Sequence, residues 1–331
     1  RILFFDPILS QNNDMSCATC HNPNLGFGDG MQQAIGANGT VLPRNTMTLW
    51  NVTYNTNFFW DGRAATLEEQ AKGPFLNPLE MANPDRRAVV EKVRRAAYAG
   101  MFDKAYGKDA LKEVDPAYER IAAALAAFER GPELQPFSSK YDAWLAGRAK
   151  LTKQELRGLK LYEDEKKGNC AACHTNQRGP KGEPPLFTDF TYDNLGVPRN
   201  PANPFYGQDK AHNPDGRRFV DRGLGAAVNK PAEDGKFKVP TLRNIARTAP
   251  YMHNGYFTTL RGAVAFYNDR DVRQRCPKDL PEAEANRRKC WPAPEVAANI
   301  NTDELGRLGL GEREVDDIVA FLRTLDDGYK P

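Results

Sequence analysis

Two copies of one five-residue pattern, Cys-x-x-Cys-His, are the side chains of this sequence best suited to chemistry: residues 17–21 (CATCH) and 170–174 (CAACH). In this pattern the two thiols form thioethers with the vinyl groups of a haem, and the adjacent imidazole becomes the proximal iron ligand. Zinc knuckles or redox-active thiol pairs would explain the Cys spacing, but the chain has only four His and two of them follow these pairs. We therefore predict two covalently bound haem c groups. Their binding residues are Cys17, Cys20 and His21, and Cys170, Cys173 and His174.

The first haem is predicted to have an open axial position. A haem with two strong axial ligands transfers electrons, whereas an open position allows a small molecule to bind. No His lies between His21 and His174. Met31, Met47 and Met81 are candidate ligands, but no local pattern favours any of them.

A predicted helix near residue 260 bears on the far side of the second haem. Leu260, Val264 and Tyr267 are spaced i, i+4 and i+7, so a helix places all three on one face. On spacing alone, Tyr267 is better explained as a core residue whose hydroxyl bonds to the backbone.

Helical signals dominate the elements that must position these residues. Asp115-Pro116 predicts an N-cap followed by Pro at the first helical position. Residues 152–155 (TKQE) form a capping box at the start of the helix that leads to the second haem motif. Residues 176–240 are rich in Gly, Pro and Asn and predict long loops over the haem edges. An apolar stripe near the end of the sequence predicts a last helix, and its residues are Val315, Ile318, Val319, Leu322 and Leu325.

We predict a mainly α fold with two cytochrome c-like domains, residues 1–150 and 151–331, each with one covalently bound haem c. Similar segments precede both motifs, LFFD at 3–6 and LYED at 161–164, as expected for a duplicated module. Two placements of the last helix stay open, within the second domain or packed back on the first.

The composition argues against several classes of protein. The 331 residues carry a formal net charge of +3, which indicates neither a nucleic-acid footprint nor a polybasic anchor. No apolar run approaches the roughly 20 residues of a membrane span. Haem c attachment implies the periplasm, and since the sequence starts at Arg1 we expect that an export segment was removed or left out. Cys276 and Cys290 form either a disulfide, which this compartment allows, or two unpaired thiols.

Several longer motifs resemble the bacterial dihaem cytochrome c peroxidase and MauG family over essentially the whole chain. They include FFWDGR at 58–63, LNPLEM at 76–81, FKVPTLRN at 237–244, PYMHNG at 250–255 and FYN at 266–268, in the family's order. The second haem resembles that of the MauG-like, BthA-type subgroup, because Tyr267 matches a position that is Met in the ordinary peroxidases of the family.

The resemblance implies that the His21 haem reacts with peroxide and that Gln70, Pro74 and Glu80 are its distal residues. A carboxylate such as Glu80 can carry a proton between the two peroxide oxygens, and an amide such as Gln70 can orient them. Without the resemblance, Glu80 would be interpreted as a solvated carboxylate or a helix cap. Trp60 is expected between the haems, as a relay for electrons or holes.

The resemblance also implies two further ligand sets. Tyr267 is expected to ligate the second iron, to lower its potential and so to store an oxidising equivalent there. One calcium ion is expected on the side chain of Asn45 and the carbonyls of Thr248 and Pro250, which are oxygen donors suited to a hard cation. His253 is expected to be a structural, hydrogen-bonding residue rather than an iron ligand.

We therefore expect a periplasmic dihaem peroxidase that acts on hydrogen peroxide and receives electrons from a small redox protein or another donor. One alternative is a MauG-type enzyme that oxidises the precursor of a protein-derived cofactor. Against it, Gly168 matches the position of a surface Trp through which MauG delivers holes to its protein partner. The other alternative is a non-catalytic dihaem electron-transfer cytochrome. Both a monomer and a homodimer are compatible with the sequence.

Overall fold

The computed structural model describes residues 1–330, which form a mainly α protein with a few two-residue strands. The helices of the first half are α1 (Ile2–Phe5), α2 (Cys17–Cys20), α3 (Leu67–Leu76), α4 (Arg86–Arg95), α5 (Gly100–Tyr106), α6 (Val114–Glu129) and α7 (Lys140–Leu145). The second half contains α8 (Lys153–Glu163), α9 (Leu224–Val228), α10 (Leu260–Asp269), α11 (Glu282–Arg287) and α12 (Glu312–Leu322). The strands are β1 (Tyr192–Asp193), β2 (Phe237–Lys238), β3 (Gln274–Arg275) and β4 (Cys290–Trp291).

Apolar side chains form three buried clusters. The first draws on residues between Leu3 and Leu134 and is built where α3 and α4 pack against α6. The other two draw only on residues between Tyr141 and Leu325. A domain boundary near residue 150 stays a prediction, whereas the first cluster and the other two divide earlier in the chain, between Leu134 and Tyr141.

Helix α6 begins two residues earlier than the sequence suggests. Its N-cap is Glu113, not Asp115, and Pro116 is the third helical residue. Proline is tolerated there because the N–H groups of a first helical turn have no intrahelical acceptor. The predicted N-cap was therefore wrong, whereas the helix and its buried face, including Tyr118, Ile121 and Leu125, are confirmed.

Among the helices of residues 1–330, α8 and α12 pack against each other most extensively. Thr152 caps α8 as predicted: its hydroxyl accepts from the Glu155 N–H at 3.2 Å, and the Glu155 carboxylate accepts from the Thr152 N–H at 2.6 Å. Helix α12 packs its apolar stripe against α8 and also against α10. The last helix therefore packs with α8 and α10, although its Phe321 also contacts Tyr141, which precedes residue 150. Its placement relative to the two predicted domains stays a prediction.

Residues 176–240 contain few regular elements, as predicted. Strand β1 pairs antiparallel with β2, and between them the chain forms short turns and α9. Further on, β3 pairs parallel with β4, next to a Cys276–Cys290 disulfide. The structure thus contains the predicted bridge rather than two unpaired thiols. Among the helices of residues 1–330, none is both long and apolar enough to cross a bilayer.

Gly158 allows the close approach of α8 and α12. A Cβ on Gly158 would lie 1.9 Å from the carbonyl oxygen of Asp317 and 2.8 Å from the Cβ of Phe321. We expect Gly158→Ala to lower the free energy of unfolding by about 1–3 kcal/mol, because the two helices must separate. The matched control is Gly100→Ala in α5, where a Cβ meets nothing within 4 Å. Chemical denaturation of both variants measures the difference, and equal stabilities would contradict the packing described.

Candidate haem sites and the wall between them

Each Cys-x-x-Cys-His pattern folds into one tight turn. In the first, α2 spans the two Cys, and the N–H of His21 donates to the carbonyl of Cys17 at 2.8 Å. In the second, the N–H of His174 donates to the carbonyl of Cys170 at 2.9 Å. Each turn brings its two thiols and its imidazole to the wall of one cavity, as attachment of a haem c requires.

Both imidazoles are oriented in the same way by a backbone carbonyl. His21 Nδ1 lies 3.1 Å from the carbonyl oxygen of Phe27, and His174 Nδ1 lies 2.9 Å from that of Phe187. A carbonyl only accepts, so Nδ1 carries the proton and Nε2 is left with a lone pair for a metal. Burial lowers the pKa of both imidazoles and so favours this neutral form.

The two carbonyls share an unusual backbone conformation. The φ angle is 55° at Phe27 and 56° at Phe187, a left-handed region that bulky side chains seldom adopt. Sequence reasoning missed both residues, and the spacing from His differs between the two sites. No local pattern could have identified them.

The first cavity collects the predicted distal residues. Gln70, Pro74 and Glu80 all line it together with His21. Gln70 and Pro74 are one turn apart on α3, whose N-cap hydroxyl, from Thr66, accepts from the Glu69 N–H at 3.1 Å. Met47 and Met81 also line this cavity, so the open axial position stays a prediction.

Glu80 is held in a loop that folds back on the end of α3. The amide of Asn77 donates to Glu80 Oε2 at 3.1 Å, and the N–H of Met81 donates to the carbonyl of Pro74 at 3.0 Å. Burial raises the pKa of Glu80, and the charge of Arg63 together with the Asn77 bond oppose that rise. A raised pKa moves the carboxyl closer to the range in which it can both accept and return a proton.

The second cavity is lined by the predicted face of α10. Leu260, Val264 and Tyr267 all line it, together with His174. Within residues 1–330 no hydrogen bond reaches the Tyr267 hydroxyl, so the core tyrosine with a backbone partner is not what the structure contains. Burial raises the pKa of this phenol, and a bound cation would be needed to favour its anion.

Trp60 lines both cavities and lies in the wall between them. Its indole N–H donates to the carbonyl of Asn45 at 2.9 Å, and its own carbonyl accepts from the N–H of Lys238 at 2.8 Å. The loop that carries it closes through a bridge between Phe58 and Ala64. The indole is thus fixed at the border of both cavities.

A buried ion cluster braces the same wall. The guanidinium of Arg44 donates to Asp221 at 2.6 and 2.8 Å and to Asp61 at 2.7 Å. Burial by itself would raise the pKa of Asp221, but the charge and hydrogen bonds of Arg44 lower it to about 2. Asp221 lines both cavities and is therefore a permanent negative charge between the two sites.

The predicted calcium ligands Asn45, Thr248 and Pro250 all line the second cavity. The Asn45 amide nitrogen donates to the carbonyl of Met31 at 2.7 Å, which leaves its Oδ1 available. In the part of the chain that the structure describes, neither the Thr248 nor the Pro250 carbonyl accepts a hydrogen bond. The second cavity is thus lined by three oxygen donors that lack partners in residues 1–330, and oxygen donors suit calcium.

His253 differs in part from expectation. Its backbone carbonyl accepts from the Asn45 N–H at 2.7 Å, but its ring stacks on Phe237 with centroids 3.6 Å apart. The ring Nε2 is buried without a hydrogen bond, 3.9 Å from Glu295 Oε2. The predicted structural role therefore belongs to the backbone and the stacked ring, not to hydrogen bonds of the imidazole.

The donor sets of both cavities fit a haem c. Each offers two thiols, which are free cysteines, and a neutral imidazole with Nε2 available. Lys238 adds a cation: it is 2% exposed, it lines the second cavity, and burial alone lowers its pKa to about 8. A carboxylate edge of a bound haem would supply the counter-ion that this ammonium group lacks within residues 1–330.

Comparison with known proteins agrees with this geometry. A family model described as di-haem cytochrome c peroxidase matches residues 1–150. Methylamine utilization protein MauG from Paracoccus denitrificans is 41% identical over 353 residues, which cover 99% of this chain and 88% of that protein. The chain belongs to the dihaem cytochrome c peroxidase and MauG family. The cofactors of this family member are accordingly two haem c groups.

Two other members illustrate the range of the family. Cytochrome c peroxidase Ccp from Escherichia coli is 33% identical, over 99% of this chain and 57% of its own length. The crystal structure of the dihaem peroxidase BthA from Burkholderia thailandensis superimposes with a TM-score of 0.81 at 33% identity and covers 98% of this chain and 84% of that one. The fold of two cytochrome c-like units agrees with the prediction.

Proposed function

We propose that this family member is a peroxidase that reduces hydrogen peroxide in its first cavity. The observation that carries the proposal is that one cavity joins the His21 imidazole with the half-buried Glu80 carboxyl and with Gln70 and Pro74. Homologues named cytochrome c peroxidase support the same reaction.

The proposed reaction is H2O2 + 2 electrons + 2 H⁺ → 2 H2O. When bound, the haem at His21 supplies the redox chemistry of O–O cleavage. Glu80 takes a proton from one peroxide oxygen and returns it to the other, which then leaves as water. The Gln70 amide, one turn before Pro74 on α3, orients the peroxide by hydrogen bonds.

The wall between the cavities is the proposed path for electrons. Trp60 contacts both cavities, so an indole relay can join the two haems. Tyr267, as a phenolate ligand in the second cavity, would lower the potential of that haem and let it hold the second oxidising equivalent. A small redox protein or another donor then returns both electrons.

The periplasm is the proposed location. Haem c attachment and the Cys276–Cys290 disulfide both belong to an oxidising compartment outside the cytoplasm, which supports this assignment.

A MauG-type reaction on a protein substrate is the second candidate, because the P. denitrificans MauG is 41% identical. Gly168 argues against its hole-delivery route. A Cβ at this position would lie 2.2 Å from the carbonyl oxygen of Leu161, so the backbone leaves no space for the Trp that MauG has at the matching position. The peroxidase is therefore the preferred function.

Peroxide treatment of the resting ferric holoprotein tests the function. We expect magnetic resonance to detect one high-spin and one low-spin haem, and stoichiometric peroxide to react without prior reduction. Glu80→Gln should keep both haems and slow peroxide cleavage on the order of 100-fold or more, because the proton carrier is lost. Glu165→Gln, at an exposed site, is the control. Two low-spin haems that do not react with peroxide would instead identify an electron-transfer cytochrome.

Replacement of the second-cavity ligand tests the role of Tyr267. Tyr267→Met should raise the potential of the second haem, by part of the roughly 0.8 V range that axial ligands span, and shorten the life of the doubly oxidised state. Tyr251→Phe, in the same cavity, keeps the ring and serves as the control. Spectroelectrochemistry measures the potential, and an unchanged optical and magnetic signature in Tyr267→Met would exclude ligation.

We further propose one calcium ion on Asn45 Oδ1 and the carbonyls of Thr248 and Pro250. Because Asn45 also accepts the indole N–H of Trp60, the ion would stiffen the wall between the haems. Elemental analysis should find one calcium per chain, lost in Asn45→Ala and kept in Asn45→Asp, with slower electron exchange between the haems in the calcium-free protein. Full calcium content in Asn45→Ala would refute the site.

A further inference from the structure

Glu129 is a second buried carboxyl group in the first cavity. It is the last residue of α6, it is 5% exposed, and it lines the cavity one turn after Leu125. Its Oε2 is fully buried without a partner, and no hydrogen bond within residues 1–330 reaches either carboxyl oxygen. An unpaired acid at the wall of a cofactor cavity is costly unless it has a role there.

The other side of Glu129 faces an ion pair at the surface. The guanidinium of the adjacent Arg130 donates to the carboxylate of Glu68 on α3 at 2.6 and 2.9 Å. Both side chains are partly exposed, at 43% and 33%. Glu129 therefore lies between a solvent-accessible charge pair and the cavity in which peroxide reacts.

The electrostatic surroundings keep this group protonated at neutral pH. Burial is the largest effect, the charge of Arg130 opposes it, and that of Glu68 adds to it, so that the pKa of Glu129 is raised to about 8. The remaining neighbour, Cys17, becomes an uncharged thioether once haem is attached. A haem that fills the cavity displaces water and acts in the same direction as burial.

The role proposed for Glu80 accounts for O–O cleavage but not for the protons that the reaction consumes. During cleavage Glu80 returns to the peroxide the proton that it took, so that step takes up no proton. Both protons of H2O2 + 2 electrons + 2 H⁺ → 2 H2O enter the cavity from outside in the reductive steps. The surroundings of the two carboxyls differ accordingly, because Glu80 is bonded to Asn77, whereas Glu129 has no hydrogen-bond partner within residues 1–330.

We propose that Glu129 is a proton donor for the first cavity: its carboxylic acid releases one proton per reduction step to the oxygen that becomes water, and the resulting carboxylate is reprotonated from solvent past Glu68 and Arg130. The inference rests on the proposed peroxidase function. In this scheme Glu129 donates protons during the reductive half of the cycle, whereas Glu80 assists O–O cleavage.

The test separates the two halves of the cycle in the holoenzyme. In Glu129→Gln, cleavage of stoichiometric peroxide should keep its rate, while the following reduction by a chemical donor should slow at least tenfold. The reduction rate of the unaltered protein should fall as the pH rises through about 8, where Glu129 loses its proton, and this fall should vanish in Glu129→Gln. Glu129→Asp should restore it in part, and Glu119→Gln, at an exposed site of α6, should change nothing.

Infrared spectroscopy supplies a readout that does not depend on turnover. The resting protein should show a carbonyl-stretch band of a protonated carboxylic acid that shifts in D2O, disappears near pH 8 and is missing in Glu129→Gln. A band that still disappears near pH 8 in Glu129→Gln, or a reduction phase whose rate and pH profile are unchanged by this substitution, would overturn the proposal. Failure of the peroxidase function itself would be recognised separately, as absence of any peroxide reaction in the unaltered protein.

Discussion

A buried guanidinium holds together the wall that separates the two cavities. Arg44 hydrogen-bonds both to Asp61, in the loop that carries Trp60, and to Asp221, which follows Arg44 by 177 residues in the chain. Charges removed from water are costly unless they are paired, so none of these segments can move away without leaving an unpaired buried ion. The position of the indole between the cavities follows from this constraint, as does the negative charge of Asp221 beside both of them.

The two attachment turns are nearly alike, and the chemistry depends on what faces them. In both, a backbone carbonyl orients the imidazole and leaves Nε2 for the iron. The first cavity is completed by α3 and the loop that carries Glu80, and the second by α10 with Tyr267. The two sites therefore differ on the far side of the cavity, because covalent attachment specifies only the near side of each haem.

Polar groups without protein partners recur along both cavities. Glu129 in the first, and Lys238 and the Tyr267 hydroxyl in the second, have no hydrogen-bond partner within residues 1–330. Burial pushes each of them towards its neutral form. Such groups are expected where a cofactor or a substrate completes the environment, and they are costly elsewhere. The cavities are therefore built for occupants that carry charge or exchange protons.

Local patterns in the sequence determined the number of haems, the helical class, the Thr152 capping box and the shared face of Leu260, Val264 and Tyr267, because each depends on neighbours within a few residues.

One local signal was missed: Glu129 follows Leu125 by four residues on the apolar face of α6, where a carboxylate is unusual. The predicted start of α6 was wrong because the first turn of a helix tolerates proline at several positions. Only the tertiary structure decided which carbonyls orient the imidazoles, that Trp60 borders both cavities, and that Asn45, Thr248 and Pro250 line the same cavity. Those arrangements join residues far apart in the chain, and only the packing of the folded protein brings them into contact.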